Sequence, residues 1–390
     1  MKFNIVTENF VGYLRNKGAR GEIFGGAEIL LYDLCQLILR HGHSVTVIQY
    51  GPTSKEFVHD NIPVRQIKAP SFRVLNKVGI TRRFHGGGFF WKGHLDKDAD
   101  RVHFHYYYLG YPYATDSMTG FSHGIDWDCP WLRDSLRYRH VRDRFSFWMM
   151  RKLTGEVLKR LKRVVANDFN FQRYVESSYP QYADKIVVVP NYVDSKIFNP
   201  RIKPDPHIME RFDGKVKILL PKMPAYERGT DAAIRALAQL RRSDVVLLVV
   251  GESTSRRVFE KLARDLQVDD RVFFLGHRDH FSEMPGVYTA SDIVIVPSPC
   301  REATAFAVLE GMAAGRPVIA SNIGGIPEII STPDVGVLIQ PSHGALAKSL
   351  EDLLRKPELR TQIADHGCEH VVHTFDKAIW EKRIATALIE

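Results

Sequence analysis

The sequence predicts an α/β protein built from two doubly wound parallel-sheet domains facing a central cleft. Three observations carry that prediction. The chain has 390 residues, 44% hydrophobic and 25% charged, a globular composition with room for two domains at roughly 100–200 residues each. Short runs rich in β-branched residues alternate with segments of helical period. The runs are apolar throughout, so both their faces are buried, as in parallel sheets covered by helices.

In the first half, Phe3–Thr7 reads as the opening strand and Gly26–Arg40 as a helix. Ser44–Gln49, Val64–Ile67 and Val102–Tyr108 follow as strands, a short strand precedes Ser122, and Val164–Ala166 and Ile186–Val189 close the half. Asn191–Pro206 holds Pro200, Pro204 and Pro206 and few apolar residues, so it is the expected linker. The second half is more regular. Its strands are Val216–Leu220, Val245–Val250, Val272–Leu275, Ile293–Val296, Pro317–Ala320 and Val335–Ile339. Its helices are Thr230–Arg241, Arg256–Leu266, Ala305–Ala314 and Ala345–Leu354.

No run of about 18 apolar residues predicts a membrane span. The segment Met1–Phe10 lacks a secretory pattern. Cys35, Cys129, Cys300 and Cys368 are too scattered for a zinc site or a disulfide framework. A cytoplasmic location is therefore expected. The net charge of +9 is uneven. Residues 1–200 hold 29 Lys+Arg against 19 Asp+Glu, and residues 201–390 hold 25 against 26. The basic half calls for an anionic partner, or only for solubility.

The motifs cluster where the architecture places ligands, beyond the carboxyl ends of strands. Pro297–Ile330, PSPCREATAFAVLEGMAAGRPVIASNIGGIPEII, begins where Ile293–Val296 ends. Glu302 precedes a helix, and Glu310 lies about two turns along it on roughly the same face. Paired carboxylates can accept hydrogen bonds from vicinal sugar hydroxyls, each worth roughly 1.5–3 kcal/mol. Two solvent-facing glutamates fit the spacing equally well. Ala303–Ala307 offers small residues and amides at a helix N-terminus, which favours phosphate. Gly311, Ala313, Ala314 and Gly315 let that helix pack close to the sheet, and Gly324-Gly325 precedes a short helix beginning around Glu328. Lys222 follows one strand and Arg228-Gly229 opens the next helix, so two cations could clamp a diphosphate. Gly251-Glu252 and Gly276-His277 end two further strands.

The set Lys222…Arg228-Gly229, Glu302-x7-Glu310-Gly-Met-Ala-Ala-Gly-Arg-Pro-Val and Gly324-Gly325-Ile-Pro-Glu328 resembles glycosyltransferase family four. These are retaining enzymes of the GT-B fold, with two Rossmann-like domains, that use nucleotide-sugar donors. The resemblance spans the second domain and reaches the first through Gly25-Gly26-Ala27-Glu28 and Ser122-His123-Gly124. It implies that Glu310 binds the donor ribose. Glu302, with the amides of Ala303, Thr304, Ala305 and Phe306, would face the donor sugar and diphosphate. Lys222 and Arg228 would hold the diphosphate, Gly251 would line the donor pocket, and the Gly276-His277 loop would back onto the base. Gly26 and His123 would lie beside the reacting sugar. The chain departs from the family pattern in three places. Lys222 precedes Arg228 where the family has Arg before Lys, and the spacing is one residue longer. Ala303 stands where Gly is usual. Thr304-Ala305-Phe306 replaces an aromatic-Gly pairing.

The expected acceptor domain is then residues 1–198 with a C-terminal helix, 374–390, crossing back to it. The donor domain is 199–373. The expected activity is a retaining, metal-independent transfer of a sugar to an acceptor hydroxyl, in bacterial polysaccharide, glycolipid or glycoconjugate synthesis, with no cofactor. A GT-B nucleotide-sugar epimerase and a non-catalytic nucleotide-sugar-binding protein stay open. Gly120-Phe-Ser122-His-Gly124 fits the G-x-S-x-G elbow and His85-Gly86-Gly87-Gly88 an esterase oxyanion loop, but no helix pattern follows Ser122 directly. Asp126-x-Asp128 imitates a metal-binding D-x-D. Arg133–Arg163 holds eleven Lys+Arg against Asp134, Asp143 and Glu156, interleaved with apolar residues. It is either a core-packing helix with a solvated basic face or a peripheral contact with the anionic inner face of a membrane, suited to a lipid-linked acceptor. No recognition motif points to nucleic acid.

Overall fold

The computed structural model describes residues 1–11, 25–68, 91–125, 141–300 and 302–390. They form two compact units, one comprising the chain up to Val189 together with Glu381–Glu390, the other Pro190–Trp380.

In the first unit, β1 (Lys2–Thr7), α1 (Gly26–Arg40), β2 (Ser44–Gly51), β3 (Lys55–His59), β4 (Ile62–Lys68), β5 (Arg101–Phe104), β6 (Thr119–Ser122), α2 (Val141–Arg160), β7 (Arg163–Ala166), α3 (Phe169–Ser178) and β8 (Ile186–Val188) follow in order. The sheet runs β3-β4-β2-β1-β5-β6-β7-β8. The strand order reverses between β1 and β5, which pair in parallel from Phe3↔Arg101 to Val6↔Phe104. Every pairing is parallel except β3 with β4. Strand β3 is polar and mostly exposed, which hid it from an apolar reading. Its signal is the Asp60-Asn61 turn, both residues at positive φ (47° and 65°), as tight hairpins favour.

Helix α1 starts and stops where its pattern predicts. It buries Ile29, Leu30, Leu34, Leu37 and Ile38 on one face. The expected strand Val102–Tyr108 is corrected. Pairing ends at Phe104, and Tyr107–Gly110 turns into a 3-10 helix whose aromatic residues bury in the core. Helix α2 buries Met150, Leu153, Val157 and Leu158 and exposes Arg151, Lys152, Lys159 and Trp148, the last 54% exposed. Residues 126–140, with the Asp126-x-Asp128 motif and the start of the basic stretch, and the His85–Gly88 loop lie outside the described residues. No helix among the described residues is long and apolar enough to cross a membrane.

The second unit contains α4 (Pro206–Arg211), β9 (Val216–Leu220), α5 (Thr230–Leu240), β10 (Val245–Val250), α6 (Arg256–Asp265), β11 (Val272–Gly276), α7 (Met284–Thr289) and β12 (Ile293–Val296). Then come α8 (Phe306–Ala313), β13 (Val318–Ser321), α9 (Ile326–Ile329), β14 (Val337–Ile339), α10 (His343–Arg355), α11 (Pro357–Phe375) and α12 (Lys377–Leu388). Residues of α12 from Glu381 onward belong to the first unit. The sheet is wholly parallel, in the order β11-β10-β9-β12-β13-β14, reversing between β9 and β12. The apolar strands emerge within a residue or two of their expected limits; β9, β10, β12 and β13 are buried on both faces, and the edge strands β11 and β14 are mostly half-buried.

The unit changes fall at Val189/Pro190 and Trp380/Glu381, against the expected 198/199 and 373/374. The proline-rich segment is no free linker. The amide of Asn191 donates to Thr304 Oγ1 at 2.7 Å, and that of Val193 donates to the Phe375 carbonyl at 2.9 Å. Phe198 is buried in the second core, and Pro206 starts α4.

Candidate functional site

The second sheet brings the sequence-predicted residues together at its reversal point. Strands β9 and β12 are neighbours, with Ile218 opposite Ile293. Their carboxyl ends therefore place Lys222 beside the Ser298–Glu302 loop, although 80 residues separate Lys222 from Glu302. One oxygen of Glu302, Oε1, accepts from three donors: Lys222 Nζ at 2.5 Å, Arg228 at 3.0 Å and Ser298 Oγ at 2.7 Å. Burial pushes the Glu302 carboxyl up. The attraction of Lys222 and Arg228 and the bonds from Lys222 and Ser298 outweigh that, so it lies below its ordinary value. Burial also lowers Lys222, an effect that Glu302 offsets only in part. Two cations on one carboxylate leave a net charge of +1. It is presented by Arg228, whose side chain is 38% exposed against 14% for Lys222.

Two glycines make this approach possible. Gly229 has φ 74°, and a Cβ on it would lie 2.1 Å from the Pro297 carbonyl oxygen. Gly324 has φ 53°, and a Cβ there would lie 1.7 Å from the Glu302 carbonyl oxygen. That oxygen accepts from the Gly325 amide at 3.2 Å. The turn after β13 thus presses directly on the backbone of Glu302 and fixes the loop that carries it.

Glu310 lies inside α8, buried, and takes different partners from Glu302. Tyr288 donates its hydroxyl to Glu310 Oε2 at 2.7 Å, and His280 Nε2 stands 3.8 Å from Oε1. Helix α8 starts after Ala305, which has no side-chain cap bond. Ala303 is half-buried. Thr304 is buried, its Oγ1 and carbonyl tied to Asn191, and Phe306 packs edge-on against Tyr192. Gly251 and Gly276 end adjacent strands and are joined by a 2.6 Å backbone bond from the Gly251 amide to the Gly276 carbonyl. His277 is exposed beside them. Reading the sequence missed Ser298, Tyr288, His280 and Asn191. Ser298 follows a strand end and was findable; the other three are brought in by chain packing alone.

In the first unit, Gly26 opens α1 and His123 follows β6. His123 Nε2 lies 3.0 Å from the carbonyl oxygen of His105 and Nδ1 3.4 Å from Asn167 Nδ2. A carbonyl only accepts, so Nε2 carries the proton and Nδ1 is the ring's acceptor. Ser122 is buried and its hydroxyl has no hydrogen-bond partner among the described residues, unlike the exposed nucleophile of an elbow. Residues 123–125 after it are not helical.

Two doubly wound units of largely parallel sheet, the second with a cationic centre at its reversal point, share the GT-B fold of the chain's solved-structure neighbours. The model of the Glycosyltransferase Family 4 matches residues 24–196, and that of Glycosyl transferases group 1 matches residues 206–370. Together they cover most of the chain, which belongs to this family and is a glycosyltransferase. A D-inositol 3-phosphate glycosyltransferase of Corynebacterium aurimucosum is 26% identical over 375 residues, 89% of this chain and 86% of that one. An uncharacterized glycosyltransferase of Methanocaldococcus jannaschii is 28% identical, over 92% of this chain and 91% of its own. Among solved structures, a sucrose-phosphate synthase from Thermosynechococcus elongatus matches with a TM-score of 0.76 at 18% identity, covering 99% of this chain and 98% of its own. The Anabaena protein HepE in complex with UDP-glucose matches at 0.70 and 18%, covering 99% of each. At such identities the structures speak to the fold.

Proposed function

We propose that this glycosyltransferase moves a sugar from a nucleoside-diphosphate-sugar to an acceptor hydroxyl with retention of configuration and without a metal ion. The second unit takes the donor and the first the acceptor, in polysaccharide, glycolipid or glycoconjugate synthesis. The observation that carries this reading is the Lys222–Arg228–Glu302 centre, whose net positive charge sits beside an uncapped helix start. Such a place suits a leaving diphosphate. Glu310, one oxygen held by Tyr288, offers the other to the donor ribose. His123 and the turn at Gly26 serve the reacting sugar. As the sugar–diphosphate bond breaks, the acceptor oxygen bonds to the same face of the sugar and its proton passes to the diphosphate. The protein's part is positioning and charge stabilisation. Relatives named for inositol 3-phosphate and L-malate support a polar, hydroxyl-bearing acceptor.

A thermal-shift screen of nucleoside-diphosphate sugars tests the donor, since a bound ligand raises stability by mass action. The cognate donor stands out and is turned over by the wild type but not by Glu310→Ala or Arg228→Ala. Turnover that survives both substitutions contradicts the assignment. An inverted product by NMR overturns retention, and loss of turnover in EDTA overturns metal independence.

A further inference from the structure

His105 was not singled out by any motif, yet it touches both motifs of the first unit. It follows β5 at the reversal point of that sheet, is 1% exposed, and donates its main-chain amide to the Val6 carbonyl at 2.9 Å. Its ring Nε2 lies 2.8 Å from the carbonyl oxygen of Ala27, 78 residues away. Its own carbonyl accepts from His123 Nε2 at 3.0 Å, and the two rings lie 4.5 Å apart at 62°.

The Ala27 bond fixes the tautomer, because a carbonyl only accepts and Nε2 must carry the proton. Nδ1 is then bare, and it is buried with no hydrogen-bond partner among the described residues. Burial holds the ring well below its ordinary pKa, so it stays neutral. A buried polar atom without a partner is destabilising, a penalty that a phenyl ring of similar size avoids. Nor does Ala27 need this donor. Its carbonyl lies in the first turn of α1, where the helical pattern already supplies the amide of Leu31. What histidine adds is position: the side chain holds the Gly25-Gly26-Ala27 turn and the main chain holds His123.

We propose that His105 is a positioning residue for transfer, locking the glycine turn that opens α1 in register with His123. This rests on the reading above that both motifs serve the reacting sugar. The comparison is between His105→Phe, which keeps the ring volume but loses the donor, and His105→Gln, whose amide donates from about the place of Nε2. His123→Ala is the control. His105→Phe is expected to lower kcat by about 10- to 100-fold, the scale of a small misplacement from outside the chemistry. Donor KM stays within about threefold, as expected when ground-state binding is unchanged. His105→Gln restores most of kcat. Hydrogen exchange of the amides in the first turns of α1 quickens in the Phe variant and returns to normal in the Gln variant. If His105→Phe does not fold, His105→Asn, whose amide reaches only the place of Nδ1, replaces it. Normal kcat in the Phe or Asn variant while His123→Ala is impaired overturns the positioning role alone. Failure of Gln to rescue kcat also overturns it. Normal kcat in His123→Ala overturns the reading of the site and this proposal with it.

Discussion

Replacing Glu302 by alanine removes the carboxylate that holds both Lys222 and Arg228. Lys222 Nζ sits 2.5 Å from that carboxylate, and its side chain is only 14% exposed. Without Glu302 it becomes a buried charge beside a second cation, a loss of about 3–5 kcal/mol. At roughly 2–4 °C per kcal/mol for a unit of this size, the melting transition of the second unit falls by about 6–20 °C. Glu302→Gln keeps the shape and one acceptor oxygen, and loses less, on the order of 1.5–3 kcal/mol. The pH dependence has a definite sign. A carboxyl held below its ordinary value contributes stability above the normal carboxylate range and loses it as pH falls through its own lowered value. The gap between wild type and Glu302→Gln therefore closes in acid. The assay is thermal unfolding with and without inorganic pyrophosphate. Pyrophosphate supplies the anion that the cations have lost, so it should raise the transition of Glu302→Ala more than that of the wild type. Wild-type melting of Glu302→Ala, or a smaller pyrophosphate shift in it than in the wild type, refutes the reasoning.

Tyr288→Phe frees one oxygen of Glu310 and should raise donor KM by about tenfold or more, the worth of a hydrogen bond to a charged group. Initial-rate kinetics check it, and an unchanged KM means that Tyr288 does not orient Glu310. Burial pushes the Asp168 carboxyl up to about 6, and its Oδ2 is buried with no hydrogen-bond partner among the described residues. A carboxyl raised in the folded state costs stability as pH climbs from about 4 to about 6. Asp168→Asn keeps the cap to the Phe171 amide and should stabilise at pH 7.5, by on the order of 2–3 kcal/mol, but not at pH 4. Denaturant melts at the two pH values decide it. Vesicle sedimentation tests the exposed face of α2. Arg151→Glu with Lys152→Glu should cut binding to phosphatidylglycerol vesicles more than tenfold, at about 1 kcal/mol per basic residue. Wild-type protein that stays unbound at low salt ends the membrane reading.

How much could be read beforehand differs between the halves. In the second unit the strands are apolar on both faces, so their limits stood in the sequence, and the motifs marked the strand ends. In the first, Val102–Tyr108 read as one strand because tyrosine suits strands and buried turns alike. Only packing decides that pairing stops at Phe104 and that the tyrosines fold inward. Asn191–Pro206 read as a linker because prolines carry no donor. Two of its amides, those of Asn191 and Val193, find partners on Thr304 and Phe375, which no local pattern foretells.

The sequence by itself determined the layered architecture, the family and the candidate residues at the strand ends, because periodicity and motif spacing are local properties of the chain. Only the tertiary structure decided how those residues are spent. Chain packing put Lys222 and Arg228 on one oxygen of Glu302, seated Tyr288 against Glu310, and set His105 between the glycine turn and His123. The Lys222, Arg228 and Ala27 contacts join residues 74 to 80 apart, and their closeness follows from a sheet order that reverses direction. Tyr288 with Glu310, 22 apart, and His105 with His123, 18 apart, meet through the packing of consecutive elements.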